Sequence, residues 1–155
     1  METDDLDYAR PRLAANLVSD ADHVQLSRLV TEAASRVDTG EPETLHQLFL
    51  KDGELTLGQS TLTGSAEIRA WGRTLSETHP YGCIRHVCGN MRFVSTGENT
   101  AAGVTVLTVF MEEGDGMGDT SPWVVGEDHD RFVRTPEGWR IASHIWRPLF
   151  ERKSR

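Results

Sequence analysis

Residues 123–148 read WVVGEDHDRFVRTPEGWRIASHIWRP, and this stretch decides the fold. It predicts two strands joined by a tight turn. Pro136 presets φ in Thr135-Pro136-Glu137-Gly138, and Gly138 can take φ > 0. In the second strand Trp139, Ile141, Ser143 and Ile145 alternate against Arg140, Ala142, His144 and Trp146, which predicts a mostly apolar first face. In the first strand Val124, Gly126, Asp128, Asp130 and Phe132 share one face, and His129 falls on the other, outer one. Both faces carry acids. A strand bounded by valines and a phenylalanine is expected to turn some of that charge inward.

Working back from the hairpin, two further strands precede it. Cys83–Ser95 is one and Ala101–Glu112 the other, whose run VTVLTVF reads as buried on both faces. The loop EGDGMGDTSP joins them to the hairpin as a flexible connection at a pocket mouth; its acids argue against a phosphate loop. Earlier still the periodicity is helical. Val24, Leu26, Leu29, Val30, Ala33, Ala34 and Val37 form one stripe from Asp22, with Asp20 or Asp22 as cap and Gly40 past the end. Glu41-Pro42-Glu43 opens a second helix, Glu54–Gly58 is a short strand, and Ala66–Thr78 is a third helix carrying Ile68, Trp71 and Leu75. Helices first and an antiparallel meander after them make an α+β layout.

A chain of 155 residues supports one domain with a sizeable core. Its formal charge of −8 excludes a phosphate-binding surface for nucleic acid and an anionic membrane surface. No run nears the roughly 20 apolar residues that span a bilayer. The acidic start METDDLDYAR is no secretory signal, so a cytoplasmic protein is expected. Cys83 and Cys88 lie an odd number of residues apart on one strand, hence on opposite faces, which disfavours a mutual disulfide. Metal-ligand spacing is absent, and no metal or cofactor is expected.

The strand pattern G-x-x-x-D-x-F-V-R followed by a turn and G-W-R-I resembles the C-terminal end of SnoaL-like domains. These belong to the nuclear transport factor 2-like superfamily, with scytalone dehydratase and ketosteroid isomerase. The resemblance spans about residues 22–149, leaving an N-terminal arm at 1–21 and a tail at 150–155. It implies a cone: a curved antiparallel sheet around a pocket closed by the N-terminal helices. It also implies catalytic positions. SnoaL-like dehydratases pair a histidine on the first long strand with an aspartate at the end of the first helix, here His86 and Asp38. The carboxylate fixes the imidazole tautomer and raises its basicity, so the ring can remove a proton beside a carbonyl. Polyketide cyclases of this kind use an aspartate on the strand of Asp128 as base, and two like charges at Asp128 and Asp130 would raise at least one pKa if enclosed. The second histidine of scytalone dehydratase would fall near Met111, which carries no proton.

Cys88 and Asn90 share the alternating face of His86 and are expected to line the pocket with Asp130. Trp71, Tyr81 and Trp146 would supply apolar wall. Relatives resembling bile-acid dehydratases place an arginine near Arg147, suited to a substrate anion. The expected activity is cofactor-independent dehydration or cyclisation of a small apolar, aromatic or polyketide-like substrate. Two alternatives stand beside it. One is an epoxide-hydrolase-like hydratase drawing on Arg85 and an aspartate; the other is a non-catalytic ligand-binding or structural cone. The resemblance further implies a homodimer formed through the sheet.

Overall fold

A computed structural model describes residues 16–112, 114, 117 and 120–153. The elements run α1 (Asp20–Asp38), a 3₁₀ helix (Pro42–Leu48), β1 (Phe49–Leu57), β2 (Ser60–Thr63) and α2 (Gly64–Thr78). Four long strands follow: β3 (Cys83–Gly97), β4 (Thr100–Glu112), β5 (Val124–Thr135) and β6 (Gly138–Glu151). All six strands form one sheet in the order β2-β1-β6-β5-β4-β3. The expected α+β architecture, with helices against a curved sheet, is what the chain adopts. The meander from β3 to β6 is antiparallel throughout, whereas β1 joins β6 in parallel, so the sheet is mixed.

The described helices cover one face only. Leu26 and Val30 of α1, Leu45 of the 3₁₀ helix and Ile68 of α2 pack with Phe49, Leu55, Phe93, Phe132, Trp139 and Ile141 of the sheet. One-sided cover corrects the expectation for β4. Ala101, Thr105, Leu107 and Val109 are buried, while Val104, Val106, Thr108 and Phe110 on the other face are half-buried. The α1 stripe begins as read, but its cap is Ser19, whose Oγ accepts the Asp22 N–H at 3.1 Å. Asp22 is engaged elsewhere: its Oδ1 accepts Trp139 Nε1 at 3.0 Å and an Arg134 guanidinium nitrogen at 2.7 Å, tying the helix start to the hairpin. The Trp139 bond, with Arg134 and Ser19, outweighs burial and holds the Asp22 carboxyl below its ordinary range.

Breaks in the ladders shape the cone. Register shifts occur between Gly89 and Arg92 of β3, between Val125 and Gly126 of β5, and between Arg131 and Phe132 of β5. Each adds a residue on one strand and bends it. Opposite Arg131 and Phe132 stand Ser143 and Ile141, so Ala142 is the extra residue of β6. The ends of the chain differ from expectation as well. Leu17 bridges to Val94, so part of the presumed arm edges the sheet, while residues 1–15 lie outside the described residues. β6 continues past Pro148 to Glu151, which takes Phe150 and Glu151 out of the presumed tail. Half of the glycine loop (113, 115, 116, 118 and 119) also lies outside the described residues. Among the described residues no helix is long and apolar enough to cross a membrane.

Candidate active site

Between the helices and the concave side of the sheet lies a cavity of about 450 Å³. Its wall is mostly aliphatic and aromatic, including Leu57, Trp71, Leu107, Val109, Trp123 and Trp146. The Trp146 indole owes its position to Gly126, where a Cβ would stand 2.6 Å from the ring. Against this apolar lining stand two imidazoles and two carboxyl groups: His86, Asp128, Asp130 and His144.

Asp38 closes α1, and β3 is the edge strand of the sheet. The edge leaves the His86 N–H without a strand partner, and Asp38 Oδ2 accepts it at 2.9 Å. The other carboxylate oxygen, Oδ1, lies 2.5 Å from His86 Nδ1. One aspartate thus fixes both backbone and ring, and the ring faces the cavity. An acid at a helix C-terminus opposes the dipole; here its placement serves the neighbouring strand. Arg85 extends away, donating to the carbonyls of Asp38 at 3.1 Å and Ile84 at 2.6 Å. It does not line the cavity, so the aspartate–arginine–aspartate relay of the hydratase alternative is not assembled.

On β5 the face reading holds. Asp128 and Asp130 both line the cavity and are 4% and 1% exposed. The surprise is on β6. The extra residue at Ala142 turns His144 and Trp146 to the same side as Ile141, so His144 enters the cavity instead of pointing away. Its Nδ1 lies 2.7 Å from Asp130 Oδ1 and its Nε2 lies 3.2 Å from Asp128 Oδ1. The second approach brings the charges together but misses hydrogen-bond geometry, since Asp128 Oδ1 is buried without a hydrogen-bond partner. Burial opposes charge on His144, yet the two carboxylates outweigh it and raise its pKa well above 6.5. Burial pushes the Asp130 carboxyl up, with Asp128 adding to the shift and His144 and His129 opposing it.

Three expected pocket residues stand elsewhere. Asn90 occupies the β3 bulge with φ +45° and does not line the cavity; Met91 takes its place on the core face. Cys88 is half-buried, packed between the cavity wall and the core, with its thiol pushed up to about 11 by burial and by the charges of Asp128, Asp38 and Asp130. Arg147 alternates with Trp146 and pairs in register with Glu127 on the outer face, away from any substrate anion in the cavity. His129 does face outward, but it is not exposed. It is 2% accessible, flanked in register by Val104 and Ile145, with Nε2 2.9 Å from Glu127 Oε2. Trp71, Tyr81 and Trp146 line the cavity as read, and burial raises the Tyr81 phenol.

The acid cluster has a consequence for stability. A group whose folded-state pKa is raised stabilises the fold fully below its unfolded value, and the contribution fades as pH rises through the folded one. His144 is such a group, so urea midpoints are expected to fall as pH climbs on the alkaline side of 6.5. His144→Asn should flatten that slope. A slope unchanged in the variant would show that His144 is not raised.

The comparisons with known proteins bear on the fold and the family. Residues 20–144 match the family described as the SnoaL-like domain. Among solved structures, a candidate scytalone dehydratase from Novosphingobium aromaticivorans superposes with TM-score 0.73 at 17% identity, over 87% of this chain and 90% of that one. A candidate dehydratase of the NTF2-like family from Streptomyces avermitilis gives 0.69 at 21% identity, over 84% and 98%. An NTF2-like protein with a cystatin-like fold from Novosphingobium aromaticivorans gives 0.69 at 25% identity, over 83% and 82%. No curated protein matches the sequence. At such identities the structures share the fold, and the family match covers most of the chain: this protein belongs to the SnoaL-like domain family.

Proposed function

We propose that the protein is a cofactor-independent dehydratase acting on a neutral cyclic β-hydroxy ketone, with His86 as general base and Asp38 as its positioning residue. The observation that carries the reading is His86 itself. Its Nδ1 is held by a carboxylate while the ring borders an apolar cavity. With Nδ1 so engaged, Nε2 is the nitrogen left to take a proton from the carbon beside a substrate carbonyl. Asp128 serves as the hydroxyl acceptor. Its Oδ1 is buried on the cavity wall with no hydrogen-bond donor, a state that costs free energy until a ligand hydroxyl supplies one. Charge supports a neutral substrate. Among the described residues the cavity wall carries two carboxylates and no lysine or arginine, and His144 is already paired with both, so an anion would meet net repulsion. The proteins named as candidate dehydratases share this fold.

The outer face of the sheet suits the homodimer. Val87 is 55% exposed there, and Val104, Val106 and Phe110 are half-buried with none of the described helices over them.

A β-hydroxytetralone tests the reaction, because loss of water turns it into fluorescent naphthol. His86→Asn is expected to lower kcat by about 10²–10⁴-fold, the usual worth of a positioned proton carrier. Undiminished turnover in that variant would sink the proposal. Tight naphthol binding in the cavity without turnover of any cyclic β-hydroxy ketone would favour a non-catalytic ligand-binding cone.

A further inference from the structure

Two histidines share the cavity, and both are held in the same way. Asp38 Oδ1 lies against Nδ1 of His86, and Asp130 Oδ1 lies against Nδ1 of His144. The first carboxylate arrives from the end of a helix, the second from the neighbouring strand. In each ring Nε2 is the nitrogen left over. That of His86 has no hydrogen bond among the described residues, and that of His144 meets only the off-axis Oδ1 of Asp128.

The second pair lacks a structural motive. Enclosing two carboxylates and an imidazole costs several kcal/mol per ion even after relaxation, and apolar side chains of similar volume would fill the space more cheaply. The enclosure is also incomplete in a telling way. Asp128 Oδ1 and, in register across β4, Thr105 Oγ1 are both buried without partners. A cluster built only to hold β5 to β6 would satisfy its own acceptors. One side chain links the two dyads: the Cys88 thiol feels the charges of Asp128, Asp38 and Asp130 together.

We propose that His144 is the catalytic acid of the cavity, positioned by Asp130 and delivering its Nε2 proton to the oxygen that leaves the substrate. The inference rests on the dehydratase reading and supplies its missing half. His86 Nε2 takes the proton from the carbon beside the carbonyl, and the C–H electron pair becomes the new C=C bond. The C–O bond to the departing hydroxyl breaks, and its oxygen takes the electron pair and the proton from His144. The products are an enone and water. His86 ends protonated and His144 neutral, so one proton passing between them through solvent restores the site. A neutral β-hydroxy ketone needs both steps, because hydroxide is a poor leaving group without a donor.

The test compares the wild-type chain with His144→Asn, Asp130→Asn and His86→Asn, using β-hydroxytetralone as substrate and naphthol as ligand. His144→Asn is expected to cut kcat by about 10²–10⁴-fold with KM little changed. It should also abolish the alkaline limb of the kcat–pH profile, which His86→Asn leaves in place. Asp130→Asn should move that limb to lower pH, a change that a merely structural residue would not produce. Nitrogen-15 spectra of the imidazoles carry the same test without turnover: naphthol should shift the Nε2 resonance of His144 in the wild-type chain. Full turnover in His144→Asn, or a naphthol shift confined to His86, overturns the inference and leaves His86 as base. Full turnover in His86→Asn with loss in His144→Asn would instead overturn the base assignment and keep the acid.

Discussion

Asp38→Ala is expected to lower turnover of β-hydroxytetralone by about 10²–10⁴-fold and to destabilise the fold by about 1–3 kcal/mol. Both effects follow from one carboxylate with two tasks. Oδ1 sets the tautomer and orientation of the His86 ring, so its loss frees the base to rotate and to carry its proton on the wrong nitrogen. Oδ2 satisfies the backbone N–H of His86 at the sheet edge, so its loss leaves a partly buried donor unpaired. Asp38→Asn separates the tasks. The amide oxygen can still accept the backbone N–H, while the neutral side chain no longer stabilises an imidazolium. Turnover should fall nearly as far as in the alanine variant, with a urea midpoint close to wild type. Equal stability losses in both variants would show that charge, not the backbone hydrogen bond, holds the edge.

The largest stability effect is expected at Phe93. This ring is 1% exposed and meets Phe132 edge-on at 5.8 Å and His23 at 5.3 Å. Phe93→Ala should cost about 3–5 kcal/mol, the range for emptying a buried aromatic site. Its partner across the ladder offers a control. A Cβ at Gly103 would stand 2.4 Å from the Phe93 ring, so Gly103→Ala should cost about 1–3 kcal/mol by overpacking. Combined with Phe93→Leu, the two losses should sum to less than their separate values, since the smaller side chain vacates the colliding space. Strict additivity in urea unfolding would contradict the packing described for this pair.

Local pattern carried the reading of the fold wherever the pattern was unbroken. The i, i+3, i+4 stripe of α1 and the alternation along β5 placed Val30, Asp128 and Asp130 correctly, because each follows from backbone geometry over a few residues. The same rule failed past Ala142 and at Asn90. An inserted residue exchanges the faces of everything after it, and no residue type in R-I-A-S-H-I-W announces the insertion. Plain alternation therefore sets His144 on the face opposite Ile141, and the second dyad stays hidden. Counting apolar faces separately on either side of Ala142 would have flagged it, since Ile141 and Trp146 both belong to the interior. Arg147 misled for a different reason: its position came from resemblance, and a side chain one residue off faces the other way. The parallel β1–β6 ladder was not legible either, because its two strands lie far apart in sequence, and β2 has only four residues, too few to show a period.

That ladder also has a bearing on how the chain is made. β6 is the last strand in sequence and yet stands in the middle of the sheet, between β1 and β5. During synthesis the ribosome releases β1 and β2 with the helices first, then β3 to β5, and nothing joins the two groups edge to edge until β6 emerges. Until then β1 and β5 each present an open row of peptide groups, a time when a chaperone would find most to hold. Translation paused before residue 138 should leave two fragments of sheet, and protection of the β5 amides from exchange should arrive late, together with that of β1.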